Sequence, residues 1–245
     1  MIKRILKGAA RQMGFEIHKA KKGFRKLSEE TKFKWLHEFQ IRTVLDIGAN
    51  AGQFALSIRP FAPEAMIYSF EPLKDVCEGV NAKAREKGDA KWKAFPIALG
   101  DTNGRQTIHR TKNTTDSSLL RMSDRFSSAY GTQQEDSWSE EILVRRLDDL
   151  VAEKMITIEP GLMVKMDVQG FEDRVISGGE SIIKQATIVY CEVVFRKALY
   201  EGQLLFDGLF QRLHGLGFKC AGFYNLAYEP QTGSPLYADA IFVKD

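Results

Sequence analysis

Apolar and polar positions change rhythm near residue 40. Before it, Ile2, Ile5, Leu6, Ala9 and Met13 recur at helical spacing with Lys3, Arg4, Lys7 and Arg11 between them. Gly14 and Gly23 interrupt that pattern, and Phe33, Leu36 and Phe39 resume it. Two helical pieces are therefore expected, forming a basic extension over residues 1–40 on a main domain over 41–245. From Thr43 short apolar runs alternate with helical stretches, the texture of an α/β protein with a mostly parallel sheet and helices on both faces. Strands are expected at about 43–47, 66–70, 92–98, 162–167, 187–194, 218–224 and 237–243. Helices are expected at about 52–59, from Pro72 to Lys87, around Leu147 and Leu150, from Phe171, and through Leu205, Leu209, Leu213 and Leu216. The last two strands follow one another and predict a terminal hairpin, hence one antiparallel strand on the sheet.

Residues 101–141 break this alternation. Eleven of the 29 residues from Thr111 to Ser139 are Ser or Thr, so most of the segment reads as loop, with a strand beginning near Ile142. A long polar segment beside a strand end fits a lid or acceptor site. Its hydroxyls at Thr114, Thr115, Ser117 and Ser118 suit a polyhydroxyl ligand, and Trp138 suits a sugar face. The plain alternative is a solvated loop with one aromatic tucked into the core.

Composition narrows the classes. The 245 residues, 44% hydrophobic and 27% charged, are those of an ordinary globular chain with a substantial core. The net charge of +3 implies no large nucleic-acid-binding field. It is unevenly spread: residues 1–34 carry +8 and the remainder −5. The basic arm, with Ile2, Ile5 and Leu6 interleaved, admits peripheral contact with an anionic membrane or simple packing with its basic face in water. Cys77, Cys191 and Cys220 form no C-x-x-C pair, which argues against a disulfide framework and fits a reducing cytosol. No apolar run approaches the roughly 18 residues of a membrane span, and Lys7 and Arg11 interrupt any leader-like stretch.

Candidate chemistry gathers at expected strand ends. The run Asp46-Ile47-Gly48-Ala49-Asn50-Ala51-Gly52-Gln53 delivers an acidic residue and a glycine turn to the C-terminal end of a buried strand, where open α/β sheets bind ligands. Asn50 and Gln53 stand where a dinucleotide fingerprint has its second and third glycines. An acidic turn favours a cationic group, such as the amino end of a methionine moiety, over a diphosphate. Glu71 closes the next strand 25 positions after Asp46, where a carboxylate can accept from both ribose hydroxyls. Pro72 presets the following turn. Alone, Glu71 reads equally as a carboxylate serving a helix N-terminus. Ala98-Leu99-Gly100, at the end of the third expected strand, would lie against the base.

The segments Asp46–Gly52, Phe70-Glu71-Pro72, Ala98–Asp101, Leu147-Asp148-Asp149-Leu150 and Val164–Glu172 resemble the FkbM-type methyltransferases from about residue 40 to the C-terminus. That resemblance implies a class I, Rossmann-like sheet of seven strands and S-adenosylmethionine as cofactor. It implies methylation of a sugar or polyketide hydroxyl. It further implies that Asp46, Gly48, Asn50 and Gly52 hold the methionine part, Glu71 the ribose, and that Asp167 sits beside the reactive methyl. The family usually carries Asp-x-Glu-Gly where this chain has Asp167-Val168-Gln169-Gly170, and Gln169 cannot ionise.

Methyl transfer to oxygen needs in-line positioning and removal of a proton. Asp167 is the first candidate base, with a cofactor-side contact or a helix cap as its plain reading. Glu192, near the end of another strand, is a second acidic candidate, and His109, beside the polar insertion, a third. Two carboxylates here could bind Mg²⁺, but no further ligand stands at a recognisable spacing, so a metal is not favoured. The expected protein is a cytoplasmic O-methyltransferase acting on a glycan or other small-molecule acceptor. Two rival readings are an NAD(P)-dependent oxidoreductase, opposed by the broken glycine pattern, and a cofactor-binding or membrane-docking protein without catalysis, which Gln169 supports.

Overall fold

Asp46 and Lys165 occupy matching positions on two neighbouring parallel strands, β1 (Thr43–Ile47) and β7 (Leu162–Met166). Both strands are buried at every position, as their near-continuous apolar runs require. The computed structural model describes residues 32–126, 137–229 and 232–244. The chain divides into two units, Met1–Lys34 and Trp35–Asp245. The basic arm and its helical expectation over residues 1–31 lie outside the described residues. The second expected piece is a short 3-10 helix, Lys34–Glu38. Among the described residues no helix is long and apolar enough to cross a membrane.

β1 and β7 are the middle of a seven-stranded sheet in the order β3-β2-β1-β7-β8-β10-β9. Its other members are β2 (Met66–Phe70), β3 (Trp92–Phe95), β8 (Ile188–Val194), β9 (Lys219–Tyr224) and β10 (Tyr237–Val243). β10 runs antiparallel to both its neighbours, β8 and the edge strand β9, while the other pairs of this sheet are parallel. From β1 the chain proceeds outward to β2 and β3, then returns to the other side of β1 with β7. In sheets of this kind such a reversal leaves a crevice beyond the C-terminal ends of the two strands, here β1 and β7, the switch point at which ligands bind.

Among the described residues the α-helices are α1 (Gln53–Ile58), α2 (Lys74–Glu86), α3 (Leu147–Ala152), α4 (Glu172–Gly178), α5 (Glu180–Ile183) and α6 (Phe206–Gly215). In the main core Leu45, Ile47, Val164, Met166 and Val189 of the sheet meet Val175, Ile176, Leu209 and Leu213 of α4 and α6.

Two expectations need correction. The strand expected at 92–98 ends at Phe95, because Pro96 has no N–H for the ladder. Ala98–Leu99 is a separate strand, β4, in a second sheet ordered β4-β6-β5. The polar segment expected as mostly loop contains β5 (Gly104–Thr111), which pairs antiparallel over its whole length with β6 (Ser137–Arg145). Only Ile108, Thr111, Ile142 and Val144 of this pair are buried, so hydrophobic alternation is faint. Cross-strand ion pairs Arg105–Glu141 and Arg110–Glu140 add to the pairing instead.

Candidate functional site

The turn after β1 holds three left-handed residues, Gly48 (φ +77), Asn50 (φ +43) and Gly52 (φ +78). Gly48 and Ala49 donate their backbone N–H groups to Phe70 O at 3.0 and 3.1 Å, which fastens the turn to the end of β2. A Cβ at Gly48 would stand 1.9 Å from Asp167 O, and one at Gly52 2.7 Å from the Trp92 ring. Both glycines thus answer the protein's own close packing as well as the turn. Ala49 is buried and Gln53 is exposed at the first position of α1.

Glu71 links the two loops that border the crevice. Its Oε2 accepts the Asn50 N–H at 2.9 Å and its Oε1 the Leu73 N–H at 3.0 Å. Burial raises its pKa above the ordinary carboxylate range, opposed by those two N–H groups and by Lys165. Pro72, half-buried, leads from it toward α2.

Asp46 does not open into the crevice. It is 0% exposed, its Oδ2 accepts from Ser69 Oγ at 3.1 Å, and Ser69 Oγ in turn accepts Trp92 Nε1–H at 3.0 Å. Asp46 Oδ1 lies 3.3 Å from Lys165 Nζ. Lys165 donates to Gly48 O at 2.7 Å and stands 3.8 Å from Asp167 Oδ2. Burial works against the charge of this lysine, but Asp46 and Asp167 outweigh it and raise its pKa. A buried ammonium therefore supports the glycine turn from beneath. Sequence reasoning gave Lys165 no role of its own; the signal was a single charge inside the apolar run Leu162-Met163-Val164-Lys165-Met166.

Asp167, just beyond β7, has a side chain 38% exposed. Gln169 Nε2 donates to its Oδ1 at 2.8 Å. Beneath this turn Glu172 is buried, and its Oε1 accepts the N–H groups of Val168 and Gly170 at 3.0 and 3.3 Å. Burial pushes the Glu172 carboxyl up to about 7 despite those donors. Glu192 on β8 pairs in register with Asp239 on β10. Its pKa stands well above the ordinary range, through burial first and then the charges of Asp167, Glu172 and Asp239. Among the described residues, no group of three or more His, Cys, Asp and Glu side chains could hold a metal ion.

The polar insertion reaches both crevice loops. Thr114 Oγ1 donates to Asn50 Oδ1 at 3.0 Å, and Ser118 Oγ donates to Gln169 O at 2.7 Å. Tyr200, from the loop after β8, sends its hydroxyl to within 3.1 Å of Asp116 O and 2.9 Å of Gln169 Oε1. No local sequence pattern marked Tyr200. His109, on β5, is joined to Ser118 by two backbone hydrogen bonds at the root of the insertion. Burial, with Arg121 nearby, lowers its pKa. Trp138 on β6 is 47% exposed, with the Arg110 guanidinium 5.7 Å from its ring centroid. Arg110 is held by both carboxylate oxygens of Asp75, at 2.9 and 2.6 Å.

Ala98 and Leu99 are both buried. Leu99 packs in the main core, and Ala98 packs with Leu73, Ile108 and Val144.

The Methyltransferase FkbM domain matches residues 46–220 of the chain. A curated relative, the 2-O-methyltransferase NoeI of Sinorhizobium fredii (strain NBRC 101917 / NGR234), is 30% identical over 168 residues. The match covers 66% of this chain and 66% of that protein, just under two thirds of the relative's length. The crystal structure of Methyltransferase FkbM from Methylobacillus flagellatus KT superimposes with a TM-score of 0.51 at 12% identity. It covers 91% of this chain and 45% of that one. The likeness supports the fold expected from sequence, a mostly parallel seven-stranded sheet with an antiparallel hairpin at its edge.

Proposed function

Because this chain belongs to the FkbM methyltransferase family, we propose that it is an S-adenosylmethionine-dependent O-methyltransferase. The acceptor in this reading is a hydroxyl of a saccharide or related polyhydroxylated small molecule. The observation that carries it is the placement of a half-exposed carboxylate, Asp167, at the switch point beside a glycine turn and a loop-bridging Glu71.

The residues present suit this cofactor. Each Glu71 oxygen accepts one backbone N–H and keeps acceptor capacity for a ribose hydroxyl. The turn from Gly48 through Ala49, Asn50 and Gly52 to Gln53 would hold the methionine part. Pro72 would shape the ribose side, and β4 with Ala98 and Leu99 would support the base side from within the core. Asp46 would act from beneath, through Lys165 and the Gly48 carbonyl, since its own carboxylate faces inward. When bound, the cofactor supplies a methyl on a sulfonium whose leaving group is neutral.

The protein's task is then to orient an acceptor hydroxyl and receive its proton, and Asp167 is the group that does so. Glu192 suits that task less, because burial and the charges of Asp167, Glu172 and Asp239 disfavour its charged form. His109 is neutral and anchors the insertion that covers the crevice. The hydroxyl reading is supported by the relative's name, and the saccharide reading by the Thr and Ser hydroxyls of the insertion and by exposed Trp138. The balance of charge gives no support to nucleic acid as a partner.

The test is transfer of tritium from S-adenosyl-[methyl-³H]methionine to a panel of free sugars, oligosaccharides and lipid-linked glycans. The proposal expects alkali-stable label on a saccharide, reduced at least a hundredfold in Asp167→Asn. Tight S-adenosylhomocysteine binding with no transfer to any member of the panel would favour the non-catalytic binding protein instead.

A further inference from the structure

Asp167 is not held by its own strand alone. Gln169 turns back through a left-handed backbone (φ +54) to place its amide against it. A non-glycine residue in that region persists where its surroundings fix it. Here two segments do so. Ser118 of the insertion donates to the Gln169 carbonyl. The Tyr200 hydroxyl lies 2.9 Å from Gln169 Oε1 and 3.1 Å from the Asp116 carbonyl, its one proton facing these two acceptors. Tyr200 is itself fully buried, and its backbone N–H and that of Leu199 both donate to Gln203 Oε1. The chain of polarity runs Tyr200 hydroxyl, Gln169 amide, Asp167 carboxylate. Only a side chain that accepts at one end and donates at the other closes it, which is what an amide does. A carboxylate in that place would set a like charge at hydrogen-bond distance from Asp167.

We infer that Gln169 is a positioning residue. Its amide fixes the Asp167 carboxylate through Oδ1 and leaves Oδ2 for the acceptor hydroxyl. Through Ser118 and Tyr200 it also ties that orientation to the seated insertion. The inference rests on the reading of Asp167 as the base. The other charged and titratable groups around Asp167 are Lys165 on its own strand, Asp46 on β1 and Glu172 on α4. Glu192 on β8, Asp239 on β10, and Asp116 beside Tyr200 complete the set. All remain in place in the variants below.

The experiment is a ¹³C-carboxyl NMR titration of Asp167, with its resonance identified by Asp167→Asn. It is run on the wild-type protein and on Gln169→Leu, Gln169→Glu and Tyr200→Phe, each first titrated with S-adenosylhomocysteine. Loss of a hydrogen bond to the charged form raises the midpoint by about one pH unit in Gln169→Leu. Gln169→Glu raises it further, because two carboxylates then share a proton. Tyr200→Phe shifts it less, in the same direction. A midpoint unchanged in the Leu and Glu variants, with S-adenosylhomocysteine binding retained, overturns the inference. Should Gln169→Leu fail to fold, the near-isosteric Glu variant carries the test. The parent reading fails separately: methyl transfer that persists in Asp167→Asn removes Asp167 as the base while leaving the titration result standing.

Discussion

Lys165 and Asp46 face each other across two adjacent parallel strands, Nζ 3.3 Å from Oδ1, beneath the turn that borders the crevice. Asp46 Oδ1 is buried and makes no hydrogen bond, so the nearby ammonium is what compensates its charge. Removing one partner of a buried ion pair strands the other in a medium that solvates it poorly. Lys165→Met is therefore expected to destabilise the protein by about 3–5 kcal/mol in urea unfolding. Lys165→Met combined with Asp46→Asn recovers a large part of that loss. If the double variant is no more stable than the single one, the lysine matters chiefly through its bond to the Gly48 carbonyl.

Glu172 makes stability depend on pH in the direction opposite to a salt-bridged carboxylate. Its folded-state pKa is about 7, above the ordinary 4.5, because burial disfavours the charge. Between those values the folded state holds a proton that the unfolded state has released, so stability falls as pH rises from about 4.5 to about 7. The penalty is on the order of 3 kcal/mol and is fully present above pH 7. Glu172→Gln keeps the Oε1 acceptor used by Val168 and Gly170. Urea unfolding at pH 5 and pH 8 should show a smaller difference for this variant than for wild type. An equal difference in the two proteins would place the pH dependence elsewhere, Glu192 being the next candidate.

Gly178 offers a test in which packing and propensity disagree. It is buried in α4, where alanine would ordinarily gain up to about 1 kcal/mol. A Cβ there would stand 1.7 Å from the carbonyl oxygen of Gly100, just past β4. Backbone cannot yield as a flexible side chain can, so Gly178→Ala should destabilise by about 2 kcal/mol or more. A neutral or stabilising result in thermal unfolding would mean that α4 and β4 pack less closely than described.

What was legible in the sequence was whatever each segment needed to satisfy locally. Val44-Leu45 and Leu162-Met163-Val164 announce buried parallel strands, and Asp46 and Glu71 fall at the ends of theirs because a turn follows each. The boundary at Pro96 was missed because Ile97-Ala98-Leu99 continues the apolar run, although the proline forbids the ladder from continuing with it. β5 and the first part of β6, ahead of the strand expected near Ile142, were missed for the opposite reason. Fully buried at few positions and rich in Ser, Thr and Arg, they carry the composition of loop while pairing as strands. The Tyr200–Gln169–Asp167 chain joins residues 31 positions apart through side chains alone. No periodicity encodes such a contact, and only the folded chain brings it together.

The central claim is that the crevice between β1 and β7 binds a nucleoside with a methionine-derived arm. Calorimetric titration with S-adenosylhomocysteine, and separately with NADH, on wild type and Glu71→Ala tests it most directly. The account predicts tight S-adenosylhomocysteine binding by the wild type and no competing NADH site. In Glu71→Ala the affinity should fall at least tenfold, about 1.4 kcal/mol, in a protein whose thermal unfolding confirms that it is folded. NADH binding in place of S-adenosylhomocysteine, or equal affinity in the two proteins, would contradict it.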